Sequence, residues 1–271
     1  MKIGQKRKNA ILQKIEEESS ITVNALAESL GVAEMTIRRY LTELQNEGLL
    51  KRVHGGAVRT PSRSYEPPYS LRSAQANVAK AHIGKLAAQL IEDGDTVALD
   101  VGSTTFEIAK ALTARSSLTV ITPSMRVLNL LMGNPDIRLI SPGGVIRPGE
   151  ESMIGELPRQ AFKGLYVDKL FLGVGGLDSQ AGLTEYNWDD ALIKQAMIAC
   201  AKEVYLVTDA GKFEQVAFAK VAELRSIHTL ITDQMPPATL ALALADAGVK
   251  VTVAAPAKAT PTSQQLTKEE K

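Results

Sequence analysis

The feature that most constrains the fold is an alternation of short apolar runs with helical patterns between residues 71 and 254. Several runs are apolar at every position, as expected of strands that are covered on both faces. Strands alternating with helices predict an α/β domain, with a parallel or mostly parallel, Rossmann-like sheet between two helical layers. The candidate strands are Thr96–Asp100, Leu118–Thr122, Ile137–Ser141, Lys169–Val174, Glu203–Asp209, Thr229–Thr232 and Lys250–Val253.

The first 59 residues have a different pattern, which predicts three helices and a hairpin. Thr22 is placed to cap the second helix, and Gly31 ends it as a residue that readily adopts positive φ. Two β-prone runs around Gly55 and Gly56 predict the hairpin. Helix, tight turn, helix and basic hairpin together indicate a winged helix-turn-helix, which is a DNA-binding module. The predicted helices are Lys6–Glu18, Val23–Leu30 and Glu34–Glu47.

The third predicted helix has an apolar back and a polar front. Ile37, Leu41 and Leu44 share one face, and long hydrogen-bond donors lie on the other. Such a helix fits the major groove, where an arginine either pairs with a guanine or clamps a phosphate; both roles stay open. A basic surface without DNA is the alternative for the two arginines taken alone. The predicted DNA contacts are Thr22, Met35, Thr36, Arg38, Arg39, Lys51, Arg52, His54 and Arg59.

Charge is divided unevenly along the chain. Residues 1–63 carry eleven basic and seven acidic residues, a net charge of +4, whereas the remainder has a net charge of −3. A basic head on a mildly acidic body suggests that only the head meets a polyanion. Double-stranded DNA is therefore the expected partner of the head.

Several classes of site and location are disfavoured. The single cysteine, Cys200, excludes an intrachain disulfide and is expected to be a small core residue. The three histidines lack metal-ligand spacing, so no metal is expected. No cofactor is expected, because Asp178 stands where a dinucleotide-binding motif needs its third glycine, and a P-loop is missing. With no membrane-length apolar stretch and no apolar signal core, a cytoplasmic protein without a membrane partner is expected.

Composition divides the chain into four segments. Residues 1–59 form the predicted winged helix-turn-helix domain, and residues 60–70, with three prolines, form a linker. Residues 71–254 form the α/β domain. Residues 255–271, rich in Ala, Pro, Thr, Ser and Lys, are expected to be a disordered tail.

The stretch from Ala25 to Leu41, together with Leu50–Ala57, resembles the helix-turn-helix of the DeoR family of sugar-metabolism regulators. Two residues depart from the family pattern. Ala33 replaces the usual serine and removes an N-cap worth ~1 kcal/mol. Tyr40 replaces an aspartate on the helix flank. Contacts of its side chain with DNA, with another protomer and with the wing are three open alternatives.

The resemblance continues through nearly all of residues 71–254, which are similar to the effector domain of that family. It implies a fold related to ribose-5-phosphate isomerase, glucosamine-6-phosphate deaminase and CoA transferases, and a phosphorylated sugar as effector. It also implies that Asp209 and Lys212 belong to the effector site, with Lys212 as a second phosphate contact. Pro123 stands where the family commonly has asparagine. The proline lacks the backbone N–H and the side-chain amide of an asparagine, so both hydrogen-bond donors are lost at this position.

The residues themselves support a phosphate site after the first strand. Gly102–Thr105 leads directly into a helix, whose free amides, dipole and hydroxyls bind anions well. An ordinary capped turn is an equally good interpretation. Asp100 and Asp178 either bind sugar hydroxyls or cap turns. The predicted effector-site residues are Asp100, Gly102, Ser103, Thr104, Thr105, Thr122, Gly143, Gly144, Gly173, Gly175, Asp178, Asp209 and Lys212.

These features predict a DNA-binding transcription regulator, most simply a repressor of a carbohydrate operon controlled by a phosphorylated sugar. A homo-oligomer, dimer or tetramer, is expected because paired DNA half-sites mirror protein symmetry. The alternative is a sugar-phosphate isomerase or deaminase-like enzyme with an accessory DNA-binding head, with Asp100, Glu185 or Asp209 as the base. The head favours the regulator, and no catalytic residue is assigned.

Overall fold

The computed structural model describes residues 3–46, 49–58 and 62–254, with all their side chains except those of Gln5, Glu16 and Glu17. Arg59 and the predicted tail, residues 255–271, lie outside the described residues. The head contains, in chain order, α1 (Ile3–Glu18), β1 (Ser20–Thr22), α2 (Val23–Leu30), α3 (Glu34–Asn46), β2 (Lys51–Val53) and β3 (Gly56–Val58).

Local signals fix the helix-turn-helix as the sequence predicts. The Thr22 hydroxyl accepts a hydrogen bond from the Ala25 amide at 3.2 Å and caps α2. Gly31 ends the helix at φ 61°, in the left-handed region that favours glycine. Helix α3 follows without a side-chain acceptor at Ala33, whose carbonyl receives the amides of Thr36 and Ile37. The three predicted helices are therefore confirmed, with ends within three residues.

Tyr40, whose contacts the sequence left open, is only 6% exposed and packs in the head core with Ile37, Leu41 and Leu44 of the same helix. Its side chain therefore belongs to the core of the head. Arg39 lies over the edge of this core, 5.3 Å from the Tyr40 ring centroid.

The wing is a three-stranded sheet in the order β1-β3-β2. The predicted hairpin is present, and β1 adds a third strand that pairs antiparallel with β3, placing Thr22 opposite Gly56. A Cβ atom at Gly56 would lie 2.2 Å from the Ile21 carbonyl oxygen, so only glycine allows this approach. The pairing of β1 with β3 thereby attaches the wing to the N-terminal end of α2.

The body continues with short helices and strands. Its elements are α4 (Tyr69–Ala74), α5 (Asn77–Ala88), β4 (Thr96–Leu99), α6 (Ser103–Leu112), β5 (Leu118–Ile121), α7 (Met125–Leu131), β6 (Ile137–Ile140), β7 (Val145–Arg147), β8 (Ser152–Ile154), α8 (Glu156–Lys163), β9 (Val167–Leu172), β10 (Gly176–Asp178), β11 (Gly182–Glu185), α9 (Trp188–Cys200), β12 (Ala201–Val207), β13 (Ala219–Ala222), β14 (Thr229–Thr232), α10 (Ala238–Asp246) and β15 (Lys250–Val253).

A seven-stranded parallel sheet in the order β15-β14-β12-β9-β4-β5-β6 forms the centre of the body. Successive side chains of a strand point to opposite faces, and each face has its own core. Val97 and Leu99 pack with α5, α6 and α7, whereas Ala98 packs with α8, α9 and α10. This explains the continuously apolar runs and confirms the predicted α/β class.

All seven predicted strands belong to this sheet, with ends within two residues. The sequence missed two smaller sheets, the hairpin β7-β8 and the three-stranded β10-β11-β13. These strands have three or four residues each, too few to show a period. Cys200 is buried and its thiol donates to the Met197 carbonyl, which confirms it as a core residue.

Helix α4 joins head and body. Leu71 is buried in the head core, and the Ser70 hydroxyl accepts a hydrogen bond from the side-chain amide of Asn9 at 2.9 Å. The opposite side of α4 faces body residues around Glu150. Helix α4 thus contacts both domains.

Candidate functional site

The polar front of α3 is exposed, as a DNA-reading helix requires. Met35 is 75% exposed, and Arg38 and Arg39 also lie on the surface, while Thr36 is half-buried. Arg38 pairs with Glu34 at 3.1 Å, and Arg39 lies 3.8 Å from Glu43. Exposed pairs of this kind are weak, so DNA phosphates or bases can replace the carboxylates.

The wing presents further donors beside α3. Lys51, Arg52 and His54 are all exposed. The Arg52 backbone amide donates to the Gln45 side chain and its guanidinium to the Thr42 hydroxyl, both at 2.9 Å. These bonds dock the wing against the C-terminal half of α3. Thr22 is exposed next to the wing, but its hydroxyl already caps α2.

The main cavity of the body lies at the switch point of the parallel sheet. From β4 the chain runs outward through β5 and β6, whereas β9, β12, β14 and β15 extend the sheet in the other direction. The connections after β4 and β9 therefore diverge and leave a crevice at the carboxyl ends of these strands. The cavity there has a volume of about 130 Å³ and is lined by residues of both connections, such as Ser103 after β4 and Val174 after β9.

Helix α6 directs its N-terminus into this cavity. Gly102, at φ 155°, precedes the helix and no side chain caps it. Thr105 donates its hydroxyl proton to the Gly102 carbonyl, whereas the hydroxyls of Ser103 and Thr104 have no partner among the described residues. Uncapped amides, the positive end of the helix dipole and two available hydroxyls together can bind an anion.

A buried ion cluster forms the floor of the cavity. Lys194 of α9 is 4% exposed; its Nζ pairs with the Asp100 carboxylate, lies 3.2 Å from Glu185 and donates to the Gly173 carbonyl. Burial lowers the pKa of Lys194, but the charges of Asp100 and Glu185 outweigh it and hold the pKa above its usual value. Burial also raises the pKa of Asp100, with Lys194 opposing that shift. We assign the lysine as the cation of the cluster, because carboxylates flank it on two sides.

Lys212 approaches the cavity from the turn after β12. Its Nζ donates to the Tyr186 hydroxyl at 3.2 Å and lies 5.3 Å from that ring's centroid. Asp209 accepts from the Gly211 amide and lies 3.6 Å from Lys80 of α5. Lys212 is the one lining cation without a carboxylate partner among the residues described. It is therefore the cation most available to a ligand.

The remaining charged wall has five side chains, which come from the linker, α4, the β7–β8 hairpin and α9. Arg72 pairs with Glu150 and lies 3.0 Å from Glu66, which in turn lies 2.8 Å from Arg147. Arg147 also pairs with Asp190 at 2.7 Å. Burial raises the pKa of Glu66, and Arg72 partly offsets this shift. Through the ion pairs of Arg72, this wall thus links α4, the helix that connects head and body, to the cavity.

The structure brings eight of the thirteen predicted effector-site residues to the cavity surface: Gly102, Ser103, Thr104, Thr105, Gly173, Gly175, Asp209 and Lys212. Asp100 lies behind them, where it orients Lys194 and accepts from the Gly173 amide at 2.9 Å. Its carboxylate is therefore engaged by protein groups.

The other four predicted residues are not at the cavity. The hydroxyl of Thr122 accepts from the Ser124 amide within a buried turn, next to Pro123. Gly143 and Gly144 follow β6, the edge strand far from the switch point; a Cβ at Gly144 would lie 2.7 Å from the Ile154 carbonyl oxygen. Asp178 caps a turn through the amides of Gln180 and Ala181. Each has a structural role in its own turn.

Sequence reasoning missed most of the charged lining. Arg72, Lys80, Arg147 and Lys194 come from four distant segments that only the fold brings together. Lys194 does leave a signal, because it shares the buried face of α9 with Ala191 and Met197 at helical spacing. A lysine at such a position needs a buried carboxylate partner.

No group of three His, Cys, Asp or Glu side chains within the described ranges is arranged to hold a metal ion. None of the helices described is both long and apolar enough to cross a membrane.

The two parts of the chain match two family models. Residues 7–63 match the DeoR-like helix-turn-helix domain, and residues 75–234 match the DeoR C terminal sensor domain. Among solved structures, ribose 5-phosphate isomerase A of Methanocaldococcus jannaschii is 19% identical over 51% of this chain and 55% of its own, with a TM-score of 0.39. That likeness is too slight to support the predicted relation to isomerase folds.

Curated relatives match almost the whole chain. A protein of Escherichia coli O157:H7 named as an aga operon transcriptional repressor is 33% identical over 90% of this chain and 92% of its own. The glycerol-3-phosphate regulon repressor of Escherichia coli K12 is 32% identical over 89% and 95%, respectively. Because head and body match regulators together, the enzyme alternative is set aside: the chain is a regulator that binds DNA and a small-molecule effector, and it belongs to the DeoR family.

Proposed function

We propose that the protein is a transcriptional repressor of a carbohydrate operon and that a phosphorylated sugar in the switch-point cavity lowers its affinity for operator DNA. Residues 1–59 act as the DNA-binding domain, residues 60–70 as the linker and residues 71–254 as the sensor, with residues 255–271 as a tail. The repressor names of the curated relatives support the role of repressor.

One observation carries the choice of ligand. The uncapped N-terminus of α6, with Ser103 and Thr104 available, opens into the same cavity as Lys212. A phosphate group placed there receives backbone amides, hydroxyls and one cation. The carboxylates of Glu185 and Asp209 line the same cavity and accept hydrogen bonds from sugar hydroxyls.

Two heads acting together account for operator recognition. The exposed front of one α3 contacts only a few base pairs, and a symmetric dimer or tetramer presents two such helices to paired half-sites. A ligand that favours one arrangement of the protomers changes the fit to those half-sites and hence the affinity for DNA.

The test is fluorescence anisotropy of the full chain on a labelled duplex, selected by the protein from a random pool, at fixed salt. A panel of phosphorylated sugars is compared with the same sugars without phosphate. We expect one phosphorylated sugar to weaken binding and its unphosphorylated form to have no effect. Equal effects of both forms would contradict a phosphate site, and tighter binding in the presence of the sugar phosphate would contradict release of the DNA by the ligand.

A further inference from the structure

Every cation of the cavity other than Lys212 is already engaged by carboxylates. Among the described residues, five basic and five acidic side chains line the cavity, and Asp100 adds a carboxylate directly behind Lys194, so the site has no surplus of positive charge before a ligand enters. A phosphate monoester carries a charge of about −1.5 to −2 at neutral pH. Lys212 can offset one such charge, which leaves the remainder to be balanced by other cations that line the cavity, among them Lys80, Arg72 and Arg147.

Two of these cations hold the helix that leads to the head. The guanidinium of Arg72 pairs with Glu150 and Glu66 and donates from Nε to the Pro67 carbonyl at 2.9 Å. The ammonium of Lys80 donates to the carbonyls of Arg72 and Gln75 at the C-terminal end of α4. Burial lowers the pKa of Lys80, which Asp209 partly offsets. The side chains of Arg72 and Lys80 therefore line the cavity wall and at the same time hold α4 in place.

The β7–β8 turn holds α4 from the outside. Besides Glu150, this turn supplies Glu151, which pairs with Arg126 at 3.0 Å. The Arg126 guanidinium lies 3.9 Å from the ring centroid of Tyr69, the first residue of α4. One side of α4 is thus held by ion pairs and a cation–ring contact with the body, while Leu71 and Ser70 on the other side pack on the head.

We propose that the clasp formed by Glu66, Arg72, Arg147 and Glu150 couples the cavity to the head: a phosphorylated ligand draws Arg72 and its neighbours from these carboxylates, frees α4, and so lowers DNA affinity. The inference rests on the proposed function and names the positioning residues through which it operates. Arg72 acts through α4 and does not need to contact DNA.

The decisive experiment requires no ligand. Glu150→Gln removes the charge that holds Arg72 while keeping the shape of the side chain. Asp95→Asn is the matched control, because Asp95 forms a comparably buried ion pair with Lys169 outside the cavity, at 2.7 Å. Both full-length variants are compared with wild type by hydrogen exchange of the α4 amides, such as those of Arg72 and Gln75, and by affinity for the selected duplex.

Glu150→Gln is expected to speed α4 exchange about tenfold or more, since the helix is freed locally. It is expected to weaken DNA binding by about tenfold, within the usual range of coupling between sites. Asp95→Asn should change neither. Equal effects of both variants, unchanged α4 exchange, or faster exchange with unchanged DNA affinity would each overturn the proposal. If Glu150→Gln does not fold, Glu66→Gln is judged by the same criteria.

The ligand step has its own readout. With the sugar phosphate that most weakens wild-type binding in the panel, Glu150→Gln should lose most of the response, because its clasp is already open. A full response of Glu150→Gln to the sugar phosphate would contradict the proposal that the ligand opens the clasp. If no sugar phosphate acts on wild type, the proposed function fails, whereas the ligand-free comparison still decides the clasp.

Discussion

The head and the body use positive charge in opposite ways. Arg39 on α3 is 65% exposed at its side chain, and its nearest carboxylate is 3.8 Å away. Lys194 in the body is almost fully buried between two carboxylates and a carbonyl. An exposed pair contributes ~0.2–1 kcal/mol and exchanges partners readily. A buried cation that has lost its partners, or carboxylates that have lost their cation, cost several times more.

The two domains therefore obtain their specificity in different ways. The head keeps its cations loosely paired, so that a polyanion can bind them at low cost. The body keeps most of its cations fixed, so that the cavity has a defined shape before a ligand arrives.

Lys194→Met should destabilise the body by ~3–5 kcal/mol, because Asp100 and Glu185 would remain buried without their cation. Urea unfolding of the full chain measures the loss. Lys169→Met is the matched control: its partner Asp95 lies nearer the surface, so its loss should be less than half as large. A loss for Lys194→Met no greater than that of the control would remove the contrast.

Lys212→Ala should weaken binding of the active sugar phosphate by ~1.5–3 kcal/mol, the value of a charge-assisted hydrogen bond, and leave operator affinity unchanged. Calorimetric titration and anisotropy measure the two quantities. Lys220→Ala, at an exposed lysine paired with Glu223, is the control for general charge effects. A normal ligand response in Lys212→Ala would exclude this lysine from the site.

Arg39→Ala should weaken operator binding by ~1–3 kcal/mol, with no loss of ligand binding by the body. Arg159→Ala removes an arginine on α8 of the body, which like Arg39 is paired with a glutamate of its own helix, and should leave DNA binding unaltered. The slope of affinity against salt separates the two roles left open by the sequence. A shallower slope with uniform weakening would indicate a phosphate contact, whereas relaxed sequence preference would indicate a base contact.

Ala33→Thr should stabilise the head by ~1 kcal/mol, because it restores an acceptor at the uncapped start of α3. Ala33→Val has the same shape without the hydroxyl and is the control. The head's thermal transition, followed by calorimetry, measures both. Equal transition temperatures for the two variants would show that the amides of this turn do not need the cap.

The central sheet could be predicted from sequence because burial on both faces leaves a continuous apolar run. The helix-turn-helix could be predicted because Thr22 and Gly31 act locally, through their own hydrogen bonds and dihedral angles. The small strands could not. Their pairing partners are distant in sequence, as when β11 pairs with β13, and each strand is too short to carry a pattern.

The residues of the candidate site likewise fall into those that a local sequence pattern predicts and those that only the fold brings together. The loop Gly102–Thr105 could be found because a strand, a small polar loop and a helix follow one another in sequence. Arg72 and Glu150 could not be found, because only the fold places α4 beside the β7–β8 turn. Asp100 was found for its position, but its role differs from a ligand contact, since Lys194 and the Gly173 amide occupy its carboxylate.

The close approach at Gly56 has a mechanical consequence for operator choice. Because β1 ties the wing to the start of α2, and Arg52 ties it to α3, the wing and the reading helix form one rigid unit. Their separation along the double helix is then fixed by the protein. The duplex must supply any adjustment of groove width or twist, so operators differ in affinity by their stiffness as well as by their bases.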